Sequence, residues 1–284
     1  MTSEITKAAV IGAGTMGSGI ALVLAQAEIE VNLIDTEQKH LDSGEERINK
    51  FLESSIKRER ITEEKAREIK TLINPMLDLS KAVKGIHIVI EAIVEDTNMK
   101  KNLFKELDEL CESEVVFASN TSAISITELA SVTKRKEKFI GMHFFNPPFL
   151  MKLVEIISGE HSEEKYIEQI KSLCVKLGKI PIPSKEAPGF IVNRLLWQFL
   201  NEAYRLVESG IAETKHIDEA IKLGLNHPMG PFELSDYIGL DVLLQIGEYI
   251  SEKLGEEYTP ASLLRSMVKD GKLGKKTGKG FYEY

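Results

Sequence analysis

A glycine-rich turn near the start of the chain, GAGTMG, most limits the folds open to this sequence. It has the spacing G-x-G-x-x-G, follows an apolar run over 7–11 and precedes an apolar helical pattern over about 16–26. A second predicted strand ends at Asp35, 18 residues after Gly17. Strand, glycine turn, helix and a strand that ends in an acidic residue together predict a Rossmann-type βαβ unit that binds a dinucleotide.

In such a unit the pyrophosphate lies on the N–H groups at the start of the helix. The predicted cofactor-binding residues of the turn are Gly12, Ala13, Gly14, Thr15, Met16 and Gly17. Asp35 is expected to accept hydrogen bonds from the adenosine ribose, and its charge repels a 2′-phosphate. The sequence therefore predicts NAD rather than NADP, against the alternative of a glycine turn that binds nothing.

The rest of the chain alternates short β-branched runs with helical patterns, which is typical of a parallel sheet. The predicted strands cover 7–11, 30–35, 87–92, 115–119, 139–145, 152–157 and 179–183. The next run begins only seven positions after Phe145, too close for a helical crossover, so that strand is expected to run antiparallel.

From Pro188 onward the patterns are helical, over 190–210, 215–223 and 233–254. We therefore predict an α/β fold with a mostly parallel Rossmann-type sheet over 1–187, followed by an all-helical domain over 188–284.

The connection between the second and third predicted strands is unusually long and contains two charged amphipathic patterns. A helical hairpin insertion over about 37–72 fits this segment. It is either a solvated helix pair or an arm that holds part of a long substrate, in which case the basic cluster of Lys57, Arg58 and Arg60 suits phosphate groups.

A histidine and a glutamate are predicted to face each other across the antiparallel strands. If the turn is centred near Phe149, then His143 and Glu155 are equally distant from it and become cross-strand neighbours on one face. A carboxylate beside an imidazole suits general acid–base catalysis near neutral pH. The alternative is a buried histidine that bonds only to backbone groups.

Two further segments are candidates for ligand binding. Residues 119–122, Ser-Asn-Thr-Ser, follow a predicted strand directly, where ligands bind in open α/β sheets, although they could also cap the next helix. Asn193 lies early in the helical domain, as either a helix-packing residue or a substrate ligand. No His or Cys spacing matches a metal site, so no metal is predicted.

Composition excludes several classes of protein. The net charge of −8 argues against a protein that coats nucleic acid, and no apolar run has the length of a membrane span. Only two cysteines are present, and neither a charged leader nor an apolar leader precedes Ala8. A cytoplasmic protein with no nucleic-acid or membrane partner is expected.

These residues resemble the 3-hydroxyacyl-CoA dehydrogenase family over nearly the whole chain. The matching segments are 12–17, EAIVE at 91–95, 119–122, HFFNP at 143–147, PGFIVNR at 188–194, PMGP at 228–231 and KTGKGFY at 276–282.

The resemblance implies a role for each matching residue. His143 would be the catalytic acid/base with Glu155 as its partner, and Ser122 and Asn193 would hold the substrate oxygen. The implied contacts to NAD are Glu95, Lys100, Ser122, Asn146 and Lys276. On the arm, Phe51 and Arg58 stand where relatives often have a serine and a lysine that touch coenzyme A, which departs from the family pattern, although Arg58 can still meet phosphate. With Lys57 of the basic cluster, Arg58 is a predicted coenzyme A contact.

The implied activity is NAD-dependent interconversion of an (S)-3-hydroxyacyl-CoA, such as 3-hydroxybutyryl-CoA, and the 3-ketoacyl-CoA, as in fatty acid metabolism. A homodimer formed through the helical domain is also implied. One alternative is a dehydrogenase of a free 3-hydroxy acid, of a kind that resembles enzymes with a catalytic lysine. The other alternative is a non-catalytic NAD-binding protein. The preferred acyl chain length is open.

Overall fold

The computed structural model describes residues 4–284, so part of the expectation about an N-terminal leader lies outside the described residues. The chain divides into two units, the first ending at Glu186 and the second running from Ala187 to Tyr284. This division falls one residue before the predicted one.

The first unit is built on an eight-stranded sheet. Its strands are β1 (Lys7–Ile11), β2 (Glu30–Ile34), β3 (Ile73–Met76), β4 (Ile88–Glu91), β5 (Val116–Ser119), β6 (Phe139–Phe144), β7 (Leu153–Ser158) and β8 (Ile180–Lys185). Their order in the sheet is β3-β2-β1-β4-β5-β6-β7-β8. The first six form the parallel order of a dinucleotide-binding fold. As predicted, β7 runs antiparallel to β6.

Helices cover the sheet and form the arm. The helices of the first unit are α1 (Thr15–Gln26), α2 (Gln38–Lys57), α3 (Glu63–Thr71), α4 (Leu79–Ala82), α5 (Thr97–Leu110), α6 (Ile126–Ala130) and α7 (Glu164–Lys176). The predicted helical hairpin corresponds to α2 and α3. Strand β3 was not predicted, because its sequence INPM is short and contains a proline, which sheets accept mainly at an edge.

The second unit is helical, as predicted. Its helices are α8 (Val192–Glu208), α9 (Thr214–Leu225), α10 (Pro231–Ile238), α11 (Leu240–Leu254) and α12 (Ser262–Lys269). The helical pattern predicted over 233–254 is formed by two helices, α10 and α11. Gly239 separates α10 from α11 with a φ of 108°, a backbone conformation that glycine adopts without strain. Helix α12 was not predicted.

Two buried aspartates hold the last residues of the chain onto the second unit. Asp236 accepts hydrogen bonds from the backbone N–H groups of Phe281 and Tyr282, both at 2.9 Å, and from the hydroxyl of Tyr284 at 3.1 Å. The hydroxyl of Tyr282 donates to Asp218 at 2.7 Å. Burial raises the pKa of the Asp218 carboxyl, although these donors partly oppose the shift.

None of the described helices combines the length and the apolar composition that a bilayer crossing requires.

Candidate active site

The glycine turn between β1 and α1 has the geometry of a phosphate cradle. A Cβ on Gly12 would lie 2.5 Å from the carbonyl oxygen of Ala92, and one on Gly17 would lie 1.7 Å from the carbonyl oxygen of Gly12. A Cβ on Gly14, in contrast, would meet nothing within 4 Å. Gly14 is also the N-cap of α1, which no side chain caps. The turn is therefore closed towards the protein and open where a pyrophosphate would lie.

Asp35 lies just beyond β2, beside the glycine turn. Its Oδ2 accepts a hydrogen bond from the backbone N–H of Ala13 at 2.8 Å, and its Oδ1 lies 2.8 Å from Nδ1 of His40. Burial alone would raise the pKa of the Asp35 carboxyl, but these hydrogen bonds outweigh it and the pKa is lowered. Asp35 therefore stays ionised, as recognition of ribose hydroxyls requires.

Arg47 on α2 reaches the same turn, and sequence reasoning missed it. Its guanidinium donates to the carbonyl oxygen of Ala13 at 2.7 Å and to the hydroxyl of Ser18 at 3.3 Å. The contact joins residues 34 positions apart, so no local pattern indicates it.

A buried polar network lies at the carboxyl ends of β4 and β5. The carboxylate of Glu91 accepts hydrogen bonds from Lys100 at 2.5 Å, from Ser119 at 2.6 Å and from the N–H of Ile93 at 2.8 Å. Burial raises the pKa of Glu91, and these donors oppose that shift. Lys100 is 1% exposed, so the structure places this predicted NAD contact inside the protein, between carboxylates.

Glu95 connects this network to the loop after β5. It lies 3.2 Å from the ammonium of Lys100 and accepts hydrogen bonds from the hydroxyl of Thr121 at 2.5 Å and from the N–H groups of Ser122 and Ala123 at 2.9 and 3.2 Å. The hydroxyl of Ser122 lies 3.4 Å from the same carboxylate oxygen. The structure thus brings together three predicted site residues, Glu95, Lys100 and Ser122.

The predicted histidine–glutamate pair is formed. His143 on β6 and Glu155 on β7 are direct register partners, and Nδ1 of the imidazole lies 2.7 Å from Oε2 of the carboxylate. Both are buried, with 6% and 1% of their surface exposed. An ionised carboxylate only accepts hydrogen bonds, so in a neutral imidazole this contact places the proton on Nδ1 and leaves Nε2 unprotonated.

Asn120 ties this pair to the neighbouring loop. Its Oδ1 accepts the backbone N–H of Phe144 at 2.9 Å, next to His143. The sequence placed Asn120 in a candidate segment but gave it no role of its own. Asn146, a predicted NAD contact, is exposed in the connection that follows β6.

The two remaining predicted residues belong to the second unit. Asn193 is the second residue of α8 and is half-buried. Lys276 forms an ion pair with Asp241 on α11, with its ammonium 2.6 Å from Oδ2. Their proposed contacts with substrate and NAD stay predictions.

A cavity of about 410 Å³ lies between the arm, α1 and the connection from β6 to β7. Four cations, Arg47, Lys50, Arg58 and Arg60, line it together with apolar groups. The rings of Phe51 and Phe149 meet there, with centroids 4.3 Å apart. The predicted residue Arg58 is among the lining residues, whereas the side chain of Lys57 is exposed on the last turn of α2 and does not line it.

One face of α2, continued by its C-cap Arg58, supplies several of these groups. Arg47, Phe51, Ser54 and Arg58 follow each other at intervals of four, three and four residues, which places them on one side of a helix. That spacing was present in the sequence and could have placed Arg47 on the same face as Arg58, but it does not indicate the contact of Arg47 with the glycine turn.

Comparisons with known proteins agree with this geometry. The family model described as 3-hydroxyacyl-CoA dehydrogenase, NAD binding domain, matches residues 7–187, and the model of the C-terminal domain matches residues 189–284. The chain therefore belongs to the 3-hydroxyacyl-CoA dehydrogenase family, whose cofactor is NAD.

Individual relatives match over nearly their full length. A 3-hydroxybutyryl-CoA dehydrogenase of Clostridioides difficile is 43% identical over 98% of this chain and 99% of that protein. The mitochondrial hydroxyacyl-coenzyme A dehydrogenase of Mus musculus is 42% identical over 99% of this chain and 91% of that protein. The crystal structure of (S)-3-hydroxybutyryl-CoA dehydrogenase from Ralstonia eutropha has a TM-score of 0.96 and 41% identity, and 99% of each chain is covered.

The residues present fit a bound NAD. The open face of Gly14, the uncapped start of α1 and the ionised Asp35 suit the pyrophosphate and the adenosine ribose.

Proposed function

We propose that this chain interconverts (S)-3-hydroxybutyryl-CoA and acetoacetyl-CoA with NAD as the hydride carrier. The observation that carries this proposal is the buried pair of His143 and Glu155, which stand opposite each other across β6 and β7 with 2.7 Å between Nδ1 and Oε2. Such a pair is suited to move a proton to and from a hydroxyl oxygen.

In the oxidation, Nε2 of His143 accepts the hydroxyl proton of the substrate. Glu155 keeps Nδ1 protonated and stabilises the imidazolium that results. The chemistry that a bound NAD would supply is acceptance of a hydride from carbon 3 of the substrate. In the reduction, the imidazolium returns its proton to the carbonyl oxygen.

Ser122 and Asn193 are proposed to donate hydrogen bonds to the substrate oxygen as its charge changes. For Ser122 this role is supported by the bonds that Glu95 makes with its backbone, because they fix the loop that carries the hydroxyl. Lys100 is proposed to act mainly by holding Glu95 in place, since its ammonium is buried between two carboxylates.

The cavity beside the arm is proposed to hold part of coenzyme A. Its four cations suit phosphate groups, and the Phe51 and Phe149 rings give the apolar surface on which an adenine or a pantetheine chain can pack. Lys57 remains a candidate for longer-range attraction of the phosphates, because it is exposed and directly precedes Arg58, which lines the cavity.

The test is direct. Acetoacetyl-CoA should be reduced with loss of NADH absorbance, and free acetoacetate should be a far poorer substrate, because it lacks the part of the molecule that the arm binds. Comparable rates with both compounds would favour a dehydrogenase of free acids. No turnover with either would leave a non-catalytic NAD-binding protein.

We further propose that the chain works as a homodimer in the cytoplasm. The second unit exposes large apolar side chains on α8 and α9, including Leu195, Leu223 and Leu225, and such groups are typical of interfaces. The two cysteines are free thiols, which suits a reducing compartment. Sedimentation of the wild type and of Leu223→Glu tests the dimer: the wild type should sediment as a dimer and the variant as a monomer.

A further inference from the structure

Lys179 is a buried lysine to which the catalytic scheme assigns no role. It lies between α7 and β8 and is 8% exposed. Its Nζ donates hydrogen bonds to two backbone carbonyl oxygens, that of Pro148 at 2.5 Å and that of Met151 at 2.8 Å. None of the carboxylates in residues 4–284 forms an ion pair with it. Burial lowers the pKa of Lys179. A buried ammonium without a carboxylate is costly, so its presence calls for an explanation.

Both carbonyls belong to the connection between β6 and β7, which joins the strand of His143 to the strand of Glu155. Within it, the N–H groups of Leu150 and Met151 both donate to the carbonyl oxygen of Pro147, each at 3.0 Å. The connection is thus a tight turn over 147–151. An ammonium carries three donors and can satisfy two carbonyls at once, as a bound cation would.

The other side of this turn forms a wall of the cavity beside the arm. Pro147, Phe149 and Leu150 line the cavity, and the ring of Phe149 packs on Phe51 of the arm. The turn also packs closely on α1, since a Cβ on Gly19 would lie 2.9 Å from the ring of Pro148. Lys179 therefore holds from inside the protein the segment whose outer surface faces the cavity.

We propose that Lys179 is a positioning residue for substrate binding. Its ammonium fixes the 147–151 turn in the shape that completes the cavity wall, and so sets the affinity for the coenzyme A part of the substrate without touching it. This inference rests on the proposed function, because it takes the acyl-CoA as the occupant of the cavity.

The test compares two neutralised lysines. Lys179→Met removes the ammonium under the turn. Lys138→Met is the matched control, because Lys138 is 7% exposed and also donates to a backbone carbonyl, that of Ser113 at 2.9 Å, but does not contact the turn. Both variants should lower the melting temperature. Only Lys179→Met should raise the KM for acetoacetyl-CoA, by about tenfold, while the KM for NADH and kcat change less than about threefold.

A truncated substrate separates positioning from a general loss of structure. For the acetoacetyl thioester of N-acetylcysteamine, which lacks the nucleotide, the KM of Lys179→Met should stay within about twofold of the wild type. Lys179→Arg should recover most of the affinity for acetoacetyl-CoA, because it restores a buried cation with several donors. Should Lys179→Met not fold, Lys179→Gln replaces it, and the same selective rise in KM is expected.

The inference fails if the KM for acetoacetyl-CoA is unchanged in the folded neutral variant, or if it rises equally in Lys138→Met or for the truncated thioester. Failure of the proposed function has a different signature, since the wild type itself would then not reduce acetoacetyl-CoA.

Discussion

The hairpin of β6 and β7 and the helical arm of α2 and α3 hold their polar groups in opposite ways. In the hairpin, His143 and Glu155 are buried and fixed by strand register. On the arm, Arg47 bonds to the glycine turn, but Arg58 and Arg60 are exposed, and Lys50, which pairs with Glu46, has a side chain that is 71% exposed. Groups fixed by the backbone are suited to act on a reacting atom, whereas flexible cations are suited to attract a charged ligand. The two regions should therefore respond differently to substitution.

The largest expected effect is at the hairpin. His143→Asn removes the proton acceptor, and loss of a general base costs ~10² to 10⁴ in rate. Turnover of acetoacetyl-CoA should fall by this order while the affinity for NADH, measured by fluorescence titration, stays near that of the wild type. If the folded variant kept wild-type turnover, His143 would not be the proton acceptor, and the proposed difference between the β6–β7 hairpin and the arm would be lost.

Glu155→Gln keeps the shape of the side chain but removes its charge. The amide no longer stabilises the imidazolium, so kcat should fall by about 10²-fold, less than for His143→Asn. The KM for acetoacetyl-CoA should change little, because Glu155 is 1% exposed and does not reach the arm. If KM rose and kcat did not, Glu155 would serve binding, and the contrast between the regions would disappear.

Asp35→Asn tests a third kind of group, a fixed carboxylate that is predicted to face the cofactor. Loss of its charge removes the repulsion of a 2′-phosphate, so the ratio of kcat/KM for NADPH to that for NADH should rise by about tenfold. Steady-state kinetics with each cofactor at constant acetoacetyl-CoA measures this ratio. An unchanged ratio would mean that other groups exclude the phosphate.

The smallest expected effect is on the arm. Arg58→Ala should raise the KM for acetoacetyl-CoA by only about three- to tenfold, because an exposed cation contributes little in water. The increase should shrink as salt is added, since salt screens the wild-type attraction. Lys39→Ala on the same helix is the control, because Lys39 does not line the cavity. An equal effect of Lys39→Ala would show that the arm acts only through its overall charge.

The site groups that could be predicted from the sequence are those whose positions the backbone fixes. The pair of His143 and Glu155 was predictable because the alternation of an antiparallel hairpin places equally spaced residues opposite each other. The glycine turn and Asp35 were predictable because each lies at a fixed point of a βαβ unit.

Contacts made across the fold were not predictable in this way. Arg47 reaches the glycine turn from the arm, and Lys179 reaches the 147–151 turn from the start of β8. From the sequence, Lys179 is only the first residue of the predicted strand over 179–183. The direction of a long side chain depends on how separate elements pack, and no local pattern encodes that packing. The break at Gly239 was missed because a glycine within an apolar helical pattern also occurs in continuous helices.

The hydrogen bonds of Asp218 and Asp236 to the last residues of the chain offer a way to measure whether the second unit is folded. Asp218 and Asp236 would each lose hydrogen-bond donors if residues 281–284 were cut away, leaving buried carboxylates poorly compensated. We therefore expect a protease to cleave this short segment only after its hydrogen bonds to Asp236 on α10 have broken. Resistance of Tyr282 and its neighbours to a protease becomes a simple report on whether this helical bundle is intact.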